Sequence, residues 1–194
     1  MSKAALIVGA GDATGGAIAK AFAREGYVAC VNRRARNADQ LEALAQSIRD
    51  EGYKAHAYPA DARIEDDVVA MVDAIERDVG PIEVAVFNIG ANVNFSVLDM
   101  TAQVYRKVWE MAAFAGFLMA RESARRMVER QSGTIIFTGA TASIRGGKGF
   151  SAFSGAKGAL RMLAQSMARE LGPHNIHVAH VVIDGGIDTA FIRG

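Results

Sequence analysis

Cysteine is nearly absent from this chain. Cys30 is the only one in 194 residues, so an intrachain disulfide is excluded and a reducing compartment fits. It lies in the apolar run Val28-Ala29-Cys30-Val31, the place of a small buried hydrophobe. A charge excess of either sign is missing too, because 22 basic residues nearly cancel 21 acidic ones. No net field draws the chain toward nucleic acid or an anionic membrane, and neither is expected as a partner. No apolar run reaches the length of a membrane span, and the residues before the first glycine cluster are too few for a signal peptide. A cytoplasmic location is the expectation. Low-complexity tracts and short repeats are missing. His56, His174, His177 and His180 lack metal-ligand spacing, so no metal is expected.

What remains is a globular composition, 51% hydrophobic and 22% charged, long enough to bury a core as one domain over residues 1–194. Short β-rich runs are predicted at Ala4–Val8, Val28–Val31, Ala55–Tyr58, Val84–Asn88, Thr134–Thr138 and His177–Ile183. Amphipathic helical stretches fall between them, near 14–25, 38–51, 65–79, 101–130 and 152–171. The last is expected to stop at Leu171-Gly172-Pro173, a C-cap glycine followed by proline. Continuous apolar strands alternating with helices predict an α/β fold, a doubly wound parallel sheet of Rossmann type with helices on both faces.

The first strand runs into Gly9-Ala10-Gly11-Asp12-Ala13-Thr14-Gly15-Gly16 and then a helix. A strand, a tight glycine turn and a helix N-terminus together form the setting a phosphate-cradling loop needs. Gly9 and Gly11 supply unusual backbone angles and close approach, and Gly15 lets the helix pack tightly. Asp12 and Thr14 belong to the same turn and are grouped with these nucleotide contacts. An NAD-binding unit commonly places an acid ~20 residues beyond such a loop, on the ribose 2′-hydroxyl. Here that region reads Val31-Asn32-Arg33-Arg34, and no carboxylate follows until Asp39. A guanidinium fork suits a 2′-phosphate, so NADP(H) is expected ahead of NAD(H). The plainer alternative is that Arg33 and Arg34 are solvated loop charges.

Further along, Gly149-Phe150-Ser151-Ala152-Phe153-Ser154-Gly155-Ala156-Lys157 resembles the Tyr-x-x-x-Lys helix of the short-chain dehydrogenases/reductases, with phenylalanine in the tyrosine position. The resemblance runs from the glycine loop to Thr189. It implies that Asp61 contacts adenine, that the Asn88-Ile89-Gly90-Ala91 turn lies along the adenosine, and that Thr189 touches the nicotinamide or pyrophosphate side. It also implies an Asn-Ser-Tyr-Lys tetrad, whose positions fall on Ala112, Ala140, Phe153 and Lys157. Three of those four groups are missing. A phenyl ring has no proton to give, and losing a positioned acid or base typically costs ~10²–10⁴ in rate. In the family the lysine also binds the nicotinamide ribose, so Lys157 reads as a cofactor residue. Its plainer alternative is a surface lysine beside a core ring. A one-residue shift would give the serine role to Thr141, the other catalytic candidate.

The resemblance therefore implies an NADP(H)-binding oxidoreductase with a degenerate tetrad, acting on a small-molecule substrate. Some relatives reduce activated double bonds in acyl thioesters, where the tyrosine is dispensable. The alternative is a non-catalytic NADP-binding regulator or partner subunit. The helices over 101–130 and 152–171 form the subunit faces in this family, so a homodimer or homotetramer is expected. Asp184 stands where the family has proline. Family members usually continue with a substrate-covering segment and a last strand, which either are lacking here or lie outside this sequence.

Overall fold

Residues 2–187 are described in a computed structural model of the chain. Six strands build one sheet: β1 (Ala4–Val8), β2 (Val28–Arg33), β3 (Ala55–Pro59), β4 (Ile82–Phe87), β5 (Gly133–Thr138) and β6 (Ile176–Val181). Their order is β3-β2-β1-β4-β5-β6, and all the pairings are parallel. The helices are α1 (Thr14–Arg24), α2 (Ala38–Asp50), α3 (Glu65–Asp78), α4 (Ala102–Trp109), α5 (Ala115–Arg130) and α6 (Ser151–Leu171).

Period-two alternation along the central strand divides the core in two. Leu6 and Val8 point into a cluster with Val68, Ile75, Met119 and Leu160, from α3, α5 and α6. Ala5 and Ile7 point the other way, toward Ala19, Leu41 and Ile48 from α1 and α2. Both faces of β1 are therefore dry, which is why Ala4–Val8 reads as an unbroken apolar run. Phe87 and Phe137 meet edge to face across β4 and β5, with centroids 6.4 Å apart. At the edge, β3 is only partly buried and ends at Pro59, where a missing N–H costs the sheet least.

The order 3-2-1-4-5-6 reverses its winding direction between β1 and β4. Open α/β sheets form their crevice at the carboxyl ends of the strands flanking such a switch point.

Two local expectations are corrected. The stretch expected as one helix over 101–130 is interrupted by a π-helical turn, Glu110–Phe114, between α4 and α5. Ala112 lies in that turn, buried against Val108, Ala113, Ala152 and Ala156. Gly172 does not cap α6 in the left-handed region: its φ is −53°, and the chain leaves through a 3-10 turn, Gly172–His174. The left-handed residue is Asn175, at φ 59°. The α-helix does end at Leu171 as expected, and the ring of Pro173 is tolerated in the first turn of the 3-10 segment, so only the left-handed residue comes three positions late.

Candidate functional site

The loop after β1 is fixed by its backbone. The N–H groups of Gly9 and Ala10 both donate to the Asn32 carbonyl, at 3.1 and 3.0 Å. Asn32 itself is buried, and its side-chain amide donates to the carbonyls of Tyr58 (2.8 Å) and Ala60 (3.1 Å), tying β2 to β3. Gly9 adopts φ +86°, and a Cβ there would come within 2.9 Å of the Asn88 carbonyl. A Cβ on Gly15 would press into the Gly9 carbonyl oxygen and lie 2.6 Å from Ala10 Cα. Gly11 differs, because a Cβ there would meet nothing within 4 Å. Its open side is one that a ligand's backbone could approach. Helix α1 starts at Thr14 without a capping side chain, leaving backbone donors for another acceptor.

On one side of this loop lies a cavity of about 240 Å³, lined by Gly11, Arg33, Arg34, Asp61, Arg63 and Asn88, among others. Arg33 donates to Asp12 at 3.2 Å, so Asp12 acts as its counter-ion. The Asp12 carboxylate is otherwise open, with 81% of its side chain exposed. Arg34 makes no ion pair among the described residues, and burial together with Arg36 and Arg63 disfavours its charge.

On the other side is a cavity of about 600 Å³, which shares Asn88 and Gly90 with the first and includes Thr14. The two form one cleft across the carboxyl ends of β1, β4 and β5. Phe153 and Lys157 stand together on its α6 wall, as their four-residue spacing predicts. Lys157 is 3% exposed, and its ammonium donates to the carbonyls of Ile89 (3.0 Å) and Thr138 (2.8 Å). Burial pulls its pKa down from 10.5 to about 8. The surface-lysine alternative is therefore excluded.

Ala140 and Thr141 line the same cavity. The Thr141 hydroxyl donates to the carboxylate of Asp184. Ala112 is not brought to the cleft surface, and it offers only a methyl group within an apolar cluster. Thr189 lies outside the described residues. Among the described residues no His, Cys, Asp or Glu group has a metal-binding arrangement, and no helix is long and apolar enough to cross a membrane.

Sequence reasoning missed two side-chain pairings at the cleft. Arg63 folds back onto Asp61, and the signal was their separation by one residue on a loop that follows a strand. Asp184 was noticed as a departure from proline, but its pairing with Thr141, 43 residues earlier, left no local trace.

A family profile described as short chain dehydrogenase matches residues 3–193. The chain belongs to the short-chain dehydrogenase family. Members of this family bind NAD(P), and the room above Gly11, the uncapped start of α1 and the buried cation of Lys157 fit an extended dinucleotide. A solved short-chain dehydrogenase from Rhodopseudomonas palustris is 52% identical, with a TM-score of 0.90 over 94% of this chain and 85% of its own. The 2-dehydro-3-deoxy-D-gluconate 5-dehydrogenase of Formosa agariphila is 32% identical over 91% of this chain and 66% of its own length. The 5-keto-D-gluconate 5-reductase of Escherichia coli K12 is 30% identical over 89% of this chain and 67% of its own. The chain thus spans about two thirds of the length of these curated oxidoreductases.

Proposed function

We propose that this chain is an NADP(H)-dependent oxidoreductase that transfers hydride to a small carbonyl compound or an acyl thioester, without a phenolic proton donor. The observation that carries this reading is Lys157, buried beside Phe153 on the wall of the larger cavity. On this reading its ammonium, held by the carbonyls of Ile89 and Thr138, also binds the nicotinamide ribose. Bound NADPH supplies the hydride. Gly9, Gly11, Thr14 and Gly15 hold the pyrophosphate end, Asp12 positions Arg33 beside it, and Asn88 and Gly90 lie along the adenosine. Arg33 and Arg34 at the end of β2 favour a 2′-phosphate over a 2′-hydroxyl, because β2 ends in these two cations and not in the carboxylate that would accept from the ribose. Thr141 orients the substrate oxygen by turning its hydroxyl proton from Asp184 to that oxygen, and the proton that completes the product is drawn from solvent through this pair. The outer faces of α4, α5 and α6, where Tyr105 and Trp109 are exposed, serve subunit contact in a homodimer or homotetramer.

Titration of the purified protein with NADPH and with NADH, followed by nicotinamide fluorescence, tests the cofactor. Tighter binding of NADPH is expected. Absence of binding by both sinks the reading. Lys157→Ala is then expected to abolish NADPH-dependent turnover.

A second reading is favoured by the apolar packing of Ala112, which leaves that point of the helix pair no polar group to hold a water. On it the chain binds NADP(H) as a regulator or partner subunit and performs no chemistry. The triple substitution Ala112→Asn, Ala140→Ser, Phe153→Tyr discriminates the two. Carbonyl reduction gained from a silent parent supports lost chemistry, and an active parent refutes it.

A further inference from the structure

The smaller cavity brings a carboxylate, Asp61, among the guanidiniums of Arg33, Arg34 and Arg63. Arg63 is turned fully onto Asp61: Nε donates to Oδ1 at 2.9 Å and Nη2 to Oδ2 at 2.5 Å. The Arg63 backbone N–H adds a third bond to Oδ1, at 3.1 Å. This is a planar fork on a planar acceptor, the tightest pairing that two side chains offer a carboxylate. Both partners are largely enclosed, with side chains 25% and 19% exposed, so water screens Asp61 poorly. The Asp61 carboxyl is held below the usual carboxylate range, first by Arg63 and further by Arg34. Glu110, on the π-helical turn, adds a second acid that favours the charge of Arg63.

Arg63 has thus committed its fork to Asp61, whereas Arg34 has no ion-pair partner among the described residues. We propose that Arg63 sets the cofactor preference of this chain indirectly, by neutralising Asp61 so that a ribose 2′-phosphate can enter a cavity that also holds a carboxylate. Arg34, with Arg33 beside it, meets the phosphate. Arg63 is a positioning residue that removes a like charge from the phosphate's surroundings and holds the Asp61 oxygens in place. Without it, an unscreened carboxylate would repel a 2′-phosphate and leave a ribose 2′-hydroxyl unaffected. This inference rests on the reading of the cavity as the adenosine end of an NADP(H) site.

The test is a binding experiment that needs no substrate. NADPH and NADH are titrated by nicotinamide fluorescence, and 2′,5′-ADP and 5′-AMP by competition, against wild type, Arg63→Gln, Arg63→Lys, Asp61→Asn and the double variant Arg63→Gln/Asp61→Asn. Circular dichroism melting checks that each variant is folded. Arg63→Gln is expected to weaken NADPH and 2′,5′-ADP at least tenfold, and NADH and 5′-AMP less than threefold. Adding Asp61→Asn to Arg63→Gln recovers most of that loss, and Arg63→Lys falls between. The deficit shrinks as salt is raised. Should Arg63→Gln fail to fold, Arg63→Lys alone still tests the idea, since it must weaken NADPH and 2′,5′-ADP more than NADH and 5′-AMP.

Equal weakening of all four ligands by Arg63→Gln would overturn the proposal, because it marks a merely structural role. So would failure of the double variant to recover. A wild type that prefers NADPH, with a preference that survives Arg63→Gln, defeats this inference and leaves the cofactor assignment standing. A wild type with no NADPH preference defeats both.

Discussion

The hydroxyl of Thr141, on the wall of the larger cavity, donates a hydrogen bond to the carboxylate of Asp184. In the proposed carbonyl reduction the hydroxyl turns that proton to the substrate oxygen as hydride arrives, and solvent restores it through Asp184. Asp184→Asn and Thr141→Val are each expected to lower NADPH-linked turnover by about 10²-fold or more, with NADPH affinity kept within about threefold. Steady-state kinetics on any carbonyl or enoyl thioester found by screening, with a parallel fluorescence titration, checks this. Full activity in Asp184→Asn would remove the pair from the mechanism.

Gly11 and Gly15 sit four residues apart and should fail in opposite ways. Gly15→Ala drives a methyl group into the loop backbone, which has no side chain to yield, and is expected to cost about 1–3 kcal/mol of stability. Gly11→Ala meets open space, so the melting temperature should hold while NADPH affinity drops, because the methyl group takes the room of the ligand. Thermal melts paired with titrations separate the two. Equal melting temperatures for both variants would contradict the packing described here.

Lys157 gives stability a particular pH dependence. Its pKa is about 8 in the folded chain and 10.5 when exposed, so between those values the unfolded chain carries the extra proton. Stability should therefore rise with pH across that window and stay flat below it. The total gain at this site is on the order of 3 kcal/mol. Urea unfolding at pH 7.5, 9 and 10.5 measures it as the difference between wild type and Lys157→Met. A difference that falls with rising pH would mean the ammonium is stabilised where it lies.

Asn32 is the polar link between the glycine loop and two strands. Asn32→Ala leaves the buried carbonyls of Tyr58 and Ala60 without that donor, which should cost about 1–3 kcal/mol in urea unfolding. A neutral result would mean that water replaces the amide.

The strands and helices were legible because their cause is local. Ala4–Val8 is apolar throughout since both of its faces are covered, and the loop that follows needs residues without a Cβ at Gly9 and Gly15. The glycine-loop wall of the cleft was legible for the same reason. The π-helical turn at Glu110–Phe114 was not, since a slip in backbone hydrogen bonding changes no side chain. Lys157 showed its spacing but not its partners, which are main-chain carbonyls with no residue signature. The Arg63 fork and the Asp184 pairing depend on how loops fold back, and periodicity carries no information about that.

Asn88 belongs to both cavities, and its side-chain amide holds the carbonyl of Gly9 at 3.1 Å. The two ends of the cleft are therefore not separate compartments. A guest that shifts this amide from one end alters the floor seen from the other, and any such influence must run equally in both directions. An adenosine fragment and a nicotinamide-side molecule offered together should consequently report on each other, which makes the pair a more sensitive probe of this cleft than either alone.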